Sequence, residues 1–396
     1  MNSIQQIFAI VVANLRTVPL RLGNSLVIVI GMAGVVGVLV PLLAMSIGFR
    51  STIMGDAQAE RAIVISRIAT EEDSSSLSRD DFGNIANAPE VRRDARGRPL
   101  ASGEVLLQAP VARKSDQSDV SLTLRGVGEQ YFAIRPELKL VEGRLYQSGK
   151  NELIVGAAAL AWFEGLTIGE SIRLQDGDWT IVGIFAGSKG SRESEVIADA
   201  QTVISAYKLN AFNSVSVMLK DAASFGSFRQ GVVRDTKAGA EAHAEPEYLA
   251  FASNGMSRLL RTVAYSIGTI MAFGALFAAL TSMYSAVVAR SVEVATLRAI
   301  GFAPSAVVVA LLIEALLLAL LGAAVGIGVS YVLFDGTMMS TVGGALGDSQ
   351  LVFSLSFTPQ LVMGVAALAC VLGLAGAIAP AIRVARSSIA GALYEA

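Results

Sequence analysis

Residues 22–49 read LGNSLVIVIGMAGVVGVLVPLLAMSIGF, 28 consecutive positions without a charged side chain. A helix needs about 20 apolar residues to cross the hydrocarbon core of a bilayer, so this stretch is long enough to span one. The apolar core of a secretory signal peptide is about 7–15 residues. This one is longer and begins only after a polar lead with Arg16 and Arg21, which favours a retained helix. Charge is also missing from 262–289, from 299–334 except at Glu314, and from 349–382. Four spans are expected, near residues 25–47, 264–288, 308–333 and 358–381.

The rest of the chain reads by contrast with these stretches. Of 396 residues, 53% are hydrophobic and 16% charged, where soluble domains carry about a quarter charged. Mean hydropathy is +0.57. The charges are unevenly spread: 24 of 31 Lys and Arg lie between Arg50 and Arg258, and 28 of 33 Asp and Glu lie between Asp56 and Glu247. A block of ordinary soluble composition therefore interrupts a nearly uncharged remainder. The apolar fraction excludes a chain disordered throughout. No basic patch is large enough for a nucleic-acid protein. A single cysteine, Cys370, excludes an internal disulfide framework, and a single histidine, His243, makes an ordinary zinc site untenable.

Lys and Arg in short loops mark the cytoplasmic side. Arg16 and Arg21 precede the first span, Arg290 and Arg298 lie between the second and third, and Arg383 and Arg386 follow the fourth. The loop between spans three and four holds Asp335 and Asp348 but no Lys or Arg. Both termini are thus expected in the cytoplasm and the charged block on the outer face. The lead places Ile4, Ile7, Phe8, Val11 and Leu15 at helical spacing, as in a short interfacial helix ended near Pro19.

The outer block mixes helix and strand patterns. A helix start at Ser78, with Asp81 three residues on, opens 77–88. Strand-like runs follow at 105–112, 120–127, 152–155, 171–174, 179–185 and 214–219, with a hairpin turn at 175–178 and a helix over 224–237. The fold expected is an α-helical membrane protein with four transmembrane helices and an α+β extracytoplasmic domain between spans one and two. A hydrolase would have to use His243, but AEAHAEP around it reads as a solvated linker. The acidic runs at Asp80–Asp81 and Glu71–Asp73 lack the ligand spacing of a calcium loop. Neither a catalytic set nor a metal set is expected.

Residues 290–314 read RSVEVATLRAIGFAPSAVVVALLIE. This pattern is a short amphipathic helix, a glycine break at Gly301, and a new helix entered through Pro304. Val292, Ala295, Leu297 and Ile300 are its expected apolar contacts, and Glu293 and Arg298 its polar handles. It is either a connector on the membrane or a docking helix for a cytoplasmic partner. Glu314 is an acid in an apolar helix. It is either functional or a structural carboxylate paired with Arg290 or Arg298. Glycines at 31, 34 and 37, and at 322 and 326, could mark close helix contacts, or simply reflect 38 glycines in the chain.

ATLRAIGF at 295–302 resembles the cytoplasmic loop of MacB-type (FtsX-like) ABC transporter permeases, and Phe302 leans toward the DevC-like stand-alone members. PAIRVARSSIAGALYEA from Pro380 is similar to that family's closing pattern. VEGRLY at 141–146, NELIVG at 151–156, IGESIRL at 168–174 and WTIVGIF at 179–185 are similar to its periplasmic core domain, in order. The resemblance implies an interfacial helix (1–22), four spans (23–48, 261–290, 305–334, 357–382) and a periplasmic domain (49–260). It further implies a coupling helix (291–304), a periplasmic loop (335–356) and a cytoplasmic tail (383–396). It places ATPase contact at Glu293, Leu297, Arg298 and Gly301. No Walker A pattern occurs, so the resemblance implies a separate ABC ATPase, present in two copies and carrying ATP and Mg, and a chain that is not itself an enzyme. It implies a homodimer in the bacterial inner membrane that drives export by mechanotransmission, with a periplasmic adaptor and outer-membrane channel as further partners. The alternatives are a signalling complex that activates a cell-wall hydrolase and, without family support, a membrane-bound enzyme built on His243.

Overall fold

The computed structural model describes residues 3–17, 22–55, 57–175, 177–187, 190–236, 239–340 and 351–386. Helices α1 (Ser3–Thr17) and α2 (Leu22–Met54) lead into β1 (Arg61–Ser66) and α3 (Arg79–Ala86). Next come β2 (Ala101–Ala112), β3 (Asp119–Val127), α4 (Tyr131–Ile134), β4 (Lys139–Gly143), β5 (Glu152–Gly156) and α5 (Ala157–Trp162). They are followed by β6 (Ser171–Leu174), β7 (Gly177–Ala186), β8 (Val196–Asp199), α6 (Ala200–Ala206), β9 (Ser214–Met218), α7 (Phe225–Asp235) and β10 (Ala240–Ala244). The chain closes with α8 (Glu245–Ala289), α9 (Ser291–Ala299), α10 (Pro304–Phe334), β11 (Met338–Ser340), β12 (Val352–Ser354) and α11 (Pro359–Arg386).

Among the described residues, four helices are long and apolar enough to cross a membrane: Ser25–Met54, Glu245–Ala289, Pro304–Phe334 and Pro359–Val384. The α+β domain lies between the first and second of them. The apolar stretch at 262–289 is the C-terminal part of a longer helix. α8 starts at Glu245 because Pro246 falls in its first turn, where a missing N–H is harmless, and no strong breaker follows.

The chain divides into two compact units. The membrane unit holds α1, most of α2, α8 from Arg258, α9, α10 and α11. Its core includes Ile28, Ala279, Met283, Val287, Val307, Leu311, Ala315 and Ala377. Glycines let the helices approach. A Cβ added at Gly322 would meet the Val29 carbonyl oxygen at 2.6 Å, and one at Gly326 would meet that of Ala33 at 2.7 Å. Gly31, Gly34 and Gly37 face open space. The close approach of α2 and α10 is therefore set by the two glycines of α10 alone. Helix α1 packs Ile10, with Ile7 and Val11, against this core, while Phe8 is 70% exposed. Ile4 and Leu15 lie outside the residues whose side chains are described, as do Arg16, Pro19, Arg21, Asp348 and the tail beyond Arg386.

The outer unit, Gly48–Ser257 with Met338–Ser354, carries a ten-stranded mixed sheet. Its order is β10-β1-β9-β2-β3-β8-β5-β7-β4, with β6 on β7. The twelve-residue β2 joins two halves: Ala101–Glu104 pair with β9, and Val105–Ala112 pair with β3. One half packs around Val64, Val217, Phe228 and Ala242. The other packs around Leu124, Leu153, Trp179 and Val203, and around Val127, Tyr131 and Phe185. Helix α3 begins with the capping box expected at Ser78 and Asp81.

Residues 240–244 are not a linker. They form β10, antiparallel to β1, with His243 opposite Ile63. Ala240 and Ala242 are fully buried while Glu241 and His243 alternate outward, but alanine is too small for that alternation to stand out in sequence. The connection between α10 and α11 also joins the outer unit. The Val352 N–H donates to Ser194 Oγ at 3.0 Å, and Phe353 meets Phe49 edge-on.

Candidate functional site: the α9 turn and its buried ion pair

Arg290 ends α8 and is the N-cap residue of α9. Its guanidinium is buried, 5% exposed, and donates from Nη1 and Nη2 to the two Glu314 oxygens at 3.0 and 3.2 Å. Glu314 lies in the third turn of α10 and is 7% exposed. Of the two arginines the sequence offered as its partner, the geometry selects Arg290. A bidentate pair of this kind fixes orientation as well as distance. It therefore holds the start of α9 against α10.

Helix α9 turns Val294 and Ala295 inward and leaves Val292, Glu293, Thr296 and Ile300 outward. Leu297 and Arg298 are half-buried. Among the described residues Val292 and Ile300, expected to supply apolar contacts, stay exposed, while Val294 packs into the core. A nine-residue helix has too few turns for its inward face to be phased from sequence. At its end the Phe302 N–H donates to the Leu297 carbonyl and the Gly301 N–H to that of Arg298, each at 3.1 Å. Gly301 has φ +98°, so the break is a Schellman turn that requires glycine. Pro304 opens α10, and the Gln6 side-chain oxygen accepts from the Ala303 N–H at 3.3 Å. The four residues expected to face an ATPase, Glu293, Leu297, Arg298 and Gly301, therefore share one helix and its closing turn.

A second cluster of charge lies in the outer unit. Arg125 on β3 meets Glu72, Glu104 and Glu195 at 2.7, 2.7 and 2.6 Å. Arg192 stands 3.3 Å from Glu195 and 3.7 Å from Glu72. Glu245, the first residue of α8, lies 2.8 Å from Arg61 and 2.7 Å from Arg135. Among the described residues, no group of three or more His, Cys, Asp or Glu is placed to hold a metal ion.

Residues 23–234 match the family described as the MacB-like periplasmic core domain, and residues 265–389 match the FtsX-like permease C-terminal family. The chain belongs to the MacB/FtsX-type ABC transporter permeases. No curated protein matches it in sequence. Among solved structures, the chain is similar to the periplasmic region of MacB from Actinobacillus actinomycetemcomitans. The identity is 13% and the TM-score 0.38, over 48% of this chain and 92% of that one. It is also similar to the extracellular domain of the noncanonic ABC-type transporter YknZ from Gram-positive bacteria. There the identity is 16% and the TM-score 0.36, over 46% of this chain and 99% of that one. Family membership rests on the two sequence matches.

The permease is thus a membrane protein with an extracytoplasmic domain, of a family whose members work with ABC ATPases. Its buried charge cluster was not legible in the sequence. Glu72 sits in the acidic run at Glu71–Asp73 and Arg125 in the strand-like run at 120–127, and neither carries a local sign of burial. Burial alone would push the Glu72 carboxyl up, but Arg125 and Arg192 hold it down, from an ordinary 4.5 to about 2. A carboxyl lowered on folding stabilises the fold above its unfolded value and loses that contribution as pH falls through the folded one. The melting temperature of the permease is accordingly expected to fall between pH 4.5 and about 2. Glu72→Gln should flatten this part of the profile, as read by circular dichroism on the detergent-solubilised chain.

Proposed function

We propose that this permease couples ATP hydrolysis by a separate ABC ATPase to movement of its extracytoplasmic domain. The observation that carries the reading is α9: Val292, Glu293 and Ile300 face outward between two spans, on a helix tied to α10 through Arg290–Glu314. Two ATPase copies, binding ATP and Mg, would press on α9 as they close. The buried pair would pass the displacement to α10, and chain continuity would pass it to α8. Glu314 then serves as the carboxylate that keeps α9 and α10 moving together. The permease acts as a homodimer whose outer domains do mechanical work on a substrate already outside the membrane, and hands it to a periplasmic adaptor and outer-membrane channel.

The inner membrane, with both termini in the cytoplasm, is the orientation that puts Arg290, Arg298, Arg383 and Arg386 inside. It is supported by the Val352–Ser194 hydrogen bond, which ties the arginine-free connection between α10 and α11 to the outer unit.

The test is co-purification with a co-expressed partner ABC ATPase. Glu293→Lys with Ile300→Asp alters only outward side chains, so the permease should keep its melting temperature. Recovery of ATPase is expected to fall at least tenfold, about 1.4 kcal/mol or more of interface energy. Unchanged recovery would remove α9 as the contact.

A further inference from the structure

We infer that Glu245 is a positioning residue, the point at which movement of α8 enters the outer domain. The inference rests on the mechanical reading above. Glu245 is fully buried and opens the 45-residue α8, whose other end meets α9 through Arg290. Two separate pieces of the outer unit, the start of β1 and the segment after α4, converge on its carboxylate. Arg61 of β1, 1% exposed, lies 2.8 Å away, and Arg135, which follows α4 and is 2% exposed, lies 2.7 Å away. The Gln58 N–H donates to Oε2 at 3.1 Å.

The two arginines come from different elements of the outer unit. Arg61 begins the strand whose Ala62 and Val64 build one core. Arg135 follows Tyr131, which packs with Val127 and Phe185 in the other, and its guanidinium sits 5.6 Å from the Tyr131 ring centre. One carboxylate thus holds β1 and the segment after α4, which Arg61 and Glu137 also join directly, to the start of one helix. The outer unit has a cleft of about 1180 Å³ lined by Phe82, Trp179, Ala200 and Phe212, and by Gly128 and Gln130 just before α4.

Attachment alone does not require these charges. Tyr248 and Leu249, one turn into α8, already pack on Ile63 and Ile65 of β1. A buried ion pair often does no better for stability than apolar side chains of the same volume. What it adds is a directional tie, because separating paired charges in a low-dielectric interior is steeply unfavourable. A tie to both segments at one point carries a shift of α8 into β1 and the α4 segment, and so into the cleft wall formed by Gly128, Glu129 and Gln130 just before α4.

The experiment uses the full permease–ATPase complex in nanodiscs. Spin labels replace Asn84 on α3 and Lys208 after α6, both exposed and on elements that line the cleft through Phe82 and Ala206, in a Cys370→Ala background. In the parent, the label distance should shift between the nucleotide-free complex and the ATP-bound complex with hydrolysis blocked. With Glu245→Gln the shift should disappear, while ATP hydrolysis stays within about twofold of the parent. Glu245→Asp, which keeps the charge, should restore much of it. Arg135→Gln leaves the Arg61 pair in place and serves if Glu245→Gln does not fold; it should weaken the shift. A full shift in folded Glu245→Gln or Arg135→Gln would overturn the inference while leaving the mechanical reading intact. No shift in the parent would overturn the mechanical reading, and the inference with it.

Discussion

Arg125→Met is expected to lower the melting temperature of the detergent-solubilised permease by roughly 6–20 °C. Removing one partner from a buried ionic group costs about 3–5 kcal/mol, because it leaves uncompensated charge in the interior. For a domain of this size each kcal/mol corresponds to roughly 2–4 °C. Arg125 is 3% exposed and meets three glutamates: Glu72, Glu104 and Glu195. They come from the loop after β1, from β2 and from the segment before β8, so the guanidinium on β3 ties its neighbour β2 to two segments distant in sequence. Methionine fills most of the volume and supplies none of the charge. Arg192 reaches Glu72 and Glu195 and can offset part of the loss, but no ion pair is seen between it and Glu104. The deficit should narrow as pH is lowered from neutrality toward 4, where Glu72, no longer held down by Arg125, takes up a proton. A drop below about 2 °C would show that the cluster is not an anchor of the fold.

Gly322→Val and Gly326→Val should be among the most damaging single changes in the membrane unit. At Gly326 a Cβ would sit 2.7 Å from the Ala33 carbonyl oxygen and 2.9 Å from the Val36 Cβ. At Gly322 it would sit 2.6 Å from the Val29 carbonyl oxygen and 2.8 Å from the Met32 Cβ. These neighbours are backbone atoms or Cβ atoms fixed to it, so no rotamer change relieves the clash. The helices must part, and with them Ser330, whose Oγ donates to the Gly37 carbonyl at 3.2 Å. Overpacking of this kind costs about 1–3 kcal/mol, and the lost helix contact adds to it. Gly34→Ala on the facing helix meets nothing within 4 Å and is expected to be neutral, within about 0.5 kcal/mol. Thermal aggregation of the purified variants separates the two cases. If Gly34→Ala and Gly326→Val melt alike, the close approach at α10 is wrong.

The Gly326 and Gly34 pair shows where reading from sequence stops. Both sit in glycine-rich apolar helices, and spacing alone could not say which of them touches a neighbour. Helix packing phase decides that, and it depends on residues far away in the chain. The same holds on α9. Gly301 and Pro304 were legible as a stop and a start because the left-handed turn and the first helical position have strict local requirements. Which face of the nine residues between Arg290 and Ile300 turns inward was not, since Val294 and Val292 are chemically the same residue.

The spans, their order and the division between membrane and outer units follow from the linear distribution of charge. Desolvating a charge is so unfavourable that a 28-residue gap admits few other readings. The capping box at Ser78 and the hairpin of β6 with β7 are likewise local, each set by residues within a few positions of one another. The strand at Ala240–Ala244, the choice of Arg290 for Glu314, and the meeting of Arg61 and Arg135 on Glu245 are not local. A glutamate or arginine looks the same in sequence whether solvated or buried, and its burial is fixed by strands and helices that pack over it from distant parts of the chain.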